Sequence, residues 1–156
     1  MSAATETFAQ AAQEFRSWVE REPGNAAQEA ATARRLLAAL YHLALELPRG
    51  SAAEYKPAVD EADWERVYRR FGTLPFNHYS TVDPLEAPVE SVMTGDLADD
   101  LADICCELTA GLRLHESGQA TAAAHHWGFS FRAHWASHAA EALHALQAWA
   151  DKPSEE

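Results

Sequence analysis

Leu97, Leu101, Ile104, Leu108 and Leu112 return to one face of a helix that turns about 100° per residue. Asp96, Asp100, Asp103 and Glu107 stack on a second face about a quarter turn away, with Asp99 at its outer edge. An apolar stripe of five residues must be buried against other elements, and it carries its neighbouring carboxylates to the margin of the core. Downstream, Trp127, Phe131, Trp135, Ala142 and Trp149 mark the inward side of another long helix. His134 and His138, one turn apart, fall within that sector. The same count points His126 and His144 outward and leaves His125 near the margin. Acids facing imidazoles between two helices are the most constraining pattern in the chain.

The rest of the sequence supplies further helices. Phe8, Ala11, Ala12, Phe15, Trp18 and Val19 have amphipathic helical spacing over residues 6–21, which Glu22-Pro-Gly-Asn25 terminates. Asn25 with Gln28 predicts a capping box for a helix over 26–47, striped by Leu36, Leu40, Leu43 and Leu47, with His42 on its solvated side. After Pro48-Arg-Gly-Ser51, a connection runs through Tyr55 and Pro57. Asp60 then caps a short helix bearing Trp64, Val67, Tyr68 and Phe71. Arg66, Arg69 and Arg70 beside that face form the basic cluster of the chain and read as surface partners for its own acids.

From Gly72 to Glu90 the prolines at 75, 84 and 88 forbid a helix, and no strand pattern stands out. Phe76, Tyr79, Val82 and Leu85 predict an ordered loop pinned onto the helices rather than a loose linker. Thr94 is expected to cap the fourth helix, with Asp96 in its first turn and Gly118 at its end. A fifth helix is expected over about 119–150, where Gly128 marks a kink or a close contact. Residues 152–156 read as a frayed acidic tail. The expectation is an all-α, single-domain bundle of about five helices over 1–156, with a long ordered loop before helix four.

Charge and motifs narrow the function. Twelve Lys and Arg against 24 Asp and Glu give a formal charge of −12 over 156 residues, which repels nucleic-acid backbones and would attract a basic protein partner. No secretory leader or membrane-spanning run is visible, and the cysteines, adjacent Cys105 and Cys106, make no disulfide framework, so the expected compartment is the cytoplasm. There is no phosphate-binding loop, dinucleotide fingerprint or His-Glu-x-x-His, and no cofactor is implied. A cysteine nucleophile is disfavoured by the acids around Cys105 and Cys106.

Leu97-Ala-Asp-Asp-Leu-Ala-Asp-Ile104, succeeded by Phe131-Arg-Ala-His-Trp-Ala-Ser-His138, resembles an uncharacterised bacterial family of small helical proteins, a domain of unknown function. The resemblance covers most of the chain, including Tyr79 to Pro84. A tyrosine is usual in the family at Cys105 and a glycine at Ala136. The resemblance implies a helical fold and the choice of residues, and no reaction.

Two functional expectations arise from these patterns. The leading one is a non-enzymatic interaction or adaptor protein that uses the acidic helix face, or the groove beside the Pro-rich loop. The alternative is a ligand- or metal-binding protein, hydrolase-like in its chemistry, with an Asp/His site between helices four and five. Binding candidates are Asp99, Asp100, Asp103, Tyr79, His134, Trp135 and His138; a metal would take Asp100, Asp103, His134 and His138. The same residues would also serve as a buried Asp–His network that fixes helix register.

Overall fold

The computed structural model describes residues 2–56 and 60–153. Pro57 of the expected connection and residues 154–156 of the expected tail lie outside them. The elements are α1 (Ala3–Glu20), α2 (Ala26–Ala44), α3 (Glu61–Arg70), β1 (His78–Thr81), β2 (Met93–Asp96), α4 (Leu97–Glu116), α5 (Ala120–Ser130) and α6 (Ala136–Ala150). A π-helical segment, Phe131–Trp135, joins α5 to α6 without a break. The expected all-α bundle of about five helical rods is therefore what the chain forms. None of its helices is long and apolar enough to cross a membrane, among the described residues.

α4 is the central element, packed against α1, α3, α5 and α6, while α2 closes the far side on α1 and α6. Phe8 of α1 meets Trp127 and Trp135 at ring-centroid distances of 4.9 and 6.2 Å, and Phe131 meets Trp135 at 4.8 Å. These buried aromatic rings pack the last rod against the first. The capping box at Asn25 and Gln28 and the cap at Asp60 form as the sequence predicts.

Five expectations are corrected. β1 and β2 pair antiparallel, Tyr79 opposite Gly95, where no strand was expected. Each is only four residues long, too short for alternation to register against the prolines around it. Thr94 lies in β2, and the cap of α4 is Asp96, whose carboxylate accepts from the Asp99 N–H at 3.0 Å. Asn77 completes that terminus, accepting from Leu97 N–H through its carbonyl and from Ala98 N–H through its side chain, each at 2.9 Å. Leu85, expected to help pin the loop, is solvent-exposed, and Phe76 and Tyr79 are the residues that pack on the core.

The fourth correction is Arg70, which is buried against Glu29 rather than displayed on the surface. Arg66 and Arg69 do pair with surface acids, Arg66 with Glu20 and Asp63, and Arg69 with Glu65. The fifth is the phase of the last rod. Gly128 marks a close contact: a Cβ there would lie 1.6 Å from the Pro48 carbonyl oxygen. The irregularity itself begins three residues later, in the π segment. Arg132 bridges the two places, donating to the Gly128 carbonyl at 2.9 Å and to the Leu47 carbonyl at 3.2 Å.

Candidate functional site

A π turn holds one more residue than an α turn, and that residue re-aims every side chain beyond it. Eight residues of unbroken α-helix would turn His134 to about 80° from His126; one extra residue removes about 100° of rotation. His126, His134 and His138 therefore form one row facing α4. The even 100° count of the sequence puts His126 outside, and in the structure it is buried at 8 % exposure.

The acidic face of α4 supplies the opposite row. His138 donates from Nδ1 to Asp100 Oδ1 at 2.6 Å. Its Nε2 lies 3.9 Å from Asp103 Oδ2, and His134 Nε2 lies 3.4 Å from the same oxygen. One ring nitrogen from each histidine and one oxygen of Asp103 fall within 4.8 Å of one another. Asp99, Asp100 and His138 make a second such group. Asp100, at 4 % exposure, is the most enclosed of these carboxylates, whereas Asp103 and His134 reach solvent.

The surrounding elements fix the ligand atoms that face away from that meeting point. Trp64 of α3 donates from Nε1 to Asp103 Oδ1 at 2.8 Å, which leaves Oδ2 directed at the imidazoles. Tyr79 of β1 donates its phenol proton to Asp100 Oδ2 while His138 occupies Oδ1. Gly95 permits this position of Tyr79, since a Cβ there would come within 2.3 Å of the ring. Tyr68 stacks on Trp64 at 5.1 Å and donates to Asp96 at 3.0 Å, so α3 presents two polar-headed aromatics to the acidic face.

These contacts set the proton affinities. The hydrogen bond to Asp103 raises His134, outweighing burial, and the hydrogen bond to Asp100 does the same for His138. Burial pushes Asp103 up, but hydrogen bonds from His134 and Trp64 bring it below its ordinary value. Asp99 is raised, first by burial and then by the charges of Asp103, Asp100 and Asp96. Burial raises the thiols of Cys105 and Cys106 to about 11 and about 12, so neither is poised as a nucleophile.

Six of the seven candidate residues thus gather around one point: Asp99, Asp100, Asp103, Tyr79, His134 and His138. Trp135 does not join them. It is fully buried, packed on Phe8 and Phe131, with its indole N–H on Ser130. Trp64 and Tyr68 were not among the expected site residues. Their i, i+4 spacing on a short helix was the available signal, because indole and phenol groups on a buried face need acceptors across from them.

Residues 1–151 match the family model described as Domain of unknown function (DUF5063), and the chain belongs to that family. No curated protein matches it. Among solved structures it is similar to protein BF1032 from Bacteroides fragilis, with a TM-score of 0.79 and 19% identity over 99% of this chain and 97% of that one. At that identity the likeness shows the fold alone.

Proposed function

We propose that this member of the DUF5063 family binds a divalent transition-metal ion through His134 Nε2, His138 Nε2 and Asp103 Oδ2. The observation that carries the reading is the convergence of these three atoms, with the other polar atom of both His138 and Asp103 already engaged, by Asp100 and Trp64. A carboxylate on the far nitrogen of a metal-binding histidine fixes its tautomer and strengthens it as a ligand. Two imidazoles and one carboxylate suit Zn²⁺, Fe²⁺ or Mn²⁺ and leave coordination positions open for water or a substrate. Those positions fall on the side where His134 and Asp103 meet solvent.

Isothermal titration of Zn²⁺, Mn²⁺ and Fe²⁺ into the wild type and into His134→Ala tests this. The expected result is a tight, saturable equivalent that weakens at least about 100-fold in the variant, the order of effect seen when the shell of a metal site is disturbed. Binding that ignores the substitution, or no saturable binding, overturns the reading.

A protein-binding role has separate support in the segment between the two strands, where Leu85, Val89 and Val92 are exposed, and in Met93 at the start of β2, which is exposed as well. The acidic stripe contributes less to it, because Asp100 and Glu107 are buried and Asp103 is engaged by Trp64. A basic partner drawn by the excess negative charge should be captured at low salt and lost at high salt, since exposed attractions are screened over about 8–10 Å. Capture that is indifferent to salt removes charge as the basis of the contact.

A further inference from the structure

One turn beyond Asp103, Glu107 is only 2 % exposed and faces His126. Glu107 Oε2 and His126 Nε2 lie 3.5 Å apart, and neither has a hydrogen-bond partner among the described residues. The other carboxylate oxygen, Oε1, accepts the phenol proton of Tyr55 at 3.0 Å. The Tyr55 ring lies over the imidazole with centroids 5.4 Å apart. Buried polar atoms are almost always paired, and two that face each other unpaired call for a third participant. With the ring proton on Nδ1, Nε2 faces Glu107 Oε2 lone pair to lone pair, a repulsion that a cation between the two atoms relieves.

We infer that Glu107 Oε2 and His126 Nε2 hold a second divalent cation, separate from the one assigned to His134, His138 and Asp103. Two ligands about 2.1 Å from one ion, at tetrahedral or octahedral angles, are themselves about 3.0–3.4 Å apart, close to the spacing found here. Tyr55 takes the role that Asp100 and Trp64 play in the other group, occupying the polar atom turned away from the ion. A hollow of about 710 Å³, lined in part by Glu54, Tyr55, Arg113, His125 and His126, opens beside the imidazole. At its rim Glu54 is paired with His125 at 3.1 Å. The ligands and the opening both differ from those of the first metal position, so either site can exist without the other.

The test is stoichiometry. Wild type, His134→Ala, His126→Gln and Glu107→Gln are dialysed against Zn²⁺ with a weak chelator and their metal content is measured. Thermal melts of the metal-free proteins check folding. The expected result is two equivalents in the wild type and one in each variant, with the equivalent left in His126→Gln being the one that His134→Ala removes. Tyr55→Phe, which leaves both ligands in place, should weaken the second equivalent about 10-fold or more. A single wild-type equivalent that His126→Gln leaves untouched overturns this inference while the first site stands. One that His126→Gln abolishes and His134→Ala spares upholds it and overturns the first. No retained metal overturns both.

Discussion

Arg70→Met should cost about 3–5 kcal/mol of folding stability, the range for removing one partner of a buried ion pair. Arg70 Nη1 lies 2.6 Å from Glu29, and both side chains are almost fully buried. The guanidinium also donates to the Val19 and Trp18 carbonyls at 3.1 Å each, satisfying the end of α1, and lies 5.3 Å from the centre of the Trp18 ring. Glu29 in turn accepts from the Gly24 N–H at 3.0 Å and from the Trp18 indole at 3.4 Å. One pair thus ties the end of α1, the start of α2 and the end of α3. Lysine cannot reproduce that fork, so Arg70→Lys should be nearly as damaging. Arg70→Met with Glu29→Met should cost less than Arg70→Met alone, because no carboxylate is then stranded.

The effect has a pH signature. Burial raises the Glu29 carboxyl, but the hydrogen bonds from Arg70 and Gly24 outweigh it and hold it below its ordinary 4.5. Between the folded value and 4.5 the unfolded chain binds more protons, so stability rises with pH in that window. The contribution is complete above about 4.5 and disappears as pH falls through the folded value. Without Arg70 only the hydrogen bonds from Gly24 and Trp18 still oppose burial, so the depression of the Glu29 carboxyl shrinks. Urea titrations should therefore show the loss in Arg70→Met at its largest near neutral pH and shrinking in acid. A loss below about 1 kcal/mol, or one independent of pH, would show that the pair does not hold the three helices.

His138→Ala in the metal-free protein should cost about 3 kcal/mol, toward the lower end of the same range because the imidazole is partly solvated. Asp100 would keep only the phenol of Tyr79. The partner to test is Asp100, which takes the Nδ1 proton at 2.6 Å, rather than Asp103, whose Oδ2 stands 3.9 Å from Nε2. In a cycle with Asp100→Asn, measured with chelator present, the double variant should lose less than the sum of the singles by about 1–3 kcal/mol. Strictly additive losses would show that the pair does not set helix register.

Much of this arrangement was legible in the sequence because it depends on local periodicity. The stripe from Leu97 to Leu112, the caps at Asn25 and Asp60, and the pairing of an acidic face with His134 and His138 all come from counting residues around a helix. The features that were not legible depend on contacts between distant segments. The π segment that turns His126 inward has no compositional marker, and an even 100° count carried through it misplaces that histidine. β1 and β2 exist because Tyr79 meets Gly95 and Asn77 meets the start of α4, contacts no window of sequence contains. Arg70 reads like Arg66 and Arg69, its neighbours in sequence, and only the approach of α2 distinguishes it. Trp135, read from the sequence as both core-facing and a binding candidate, serves the core.

The proposed metal centre joins histidines of the last rod to the acidic face of α4. Its most direct test is a crystal structure of the protein grown with Zn²⁺ or Mn²⁺, with data collected at the absorption edge. The predicted result is an anomalous peak about 2.0–2.2 Å from His134 Nε2, His138 Nε2 and Asp103 Oδ2 together. Peaks confined to exposed histidines such as His42 and His144, with none among those three atoms, would contradict it.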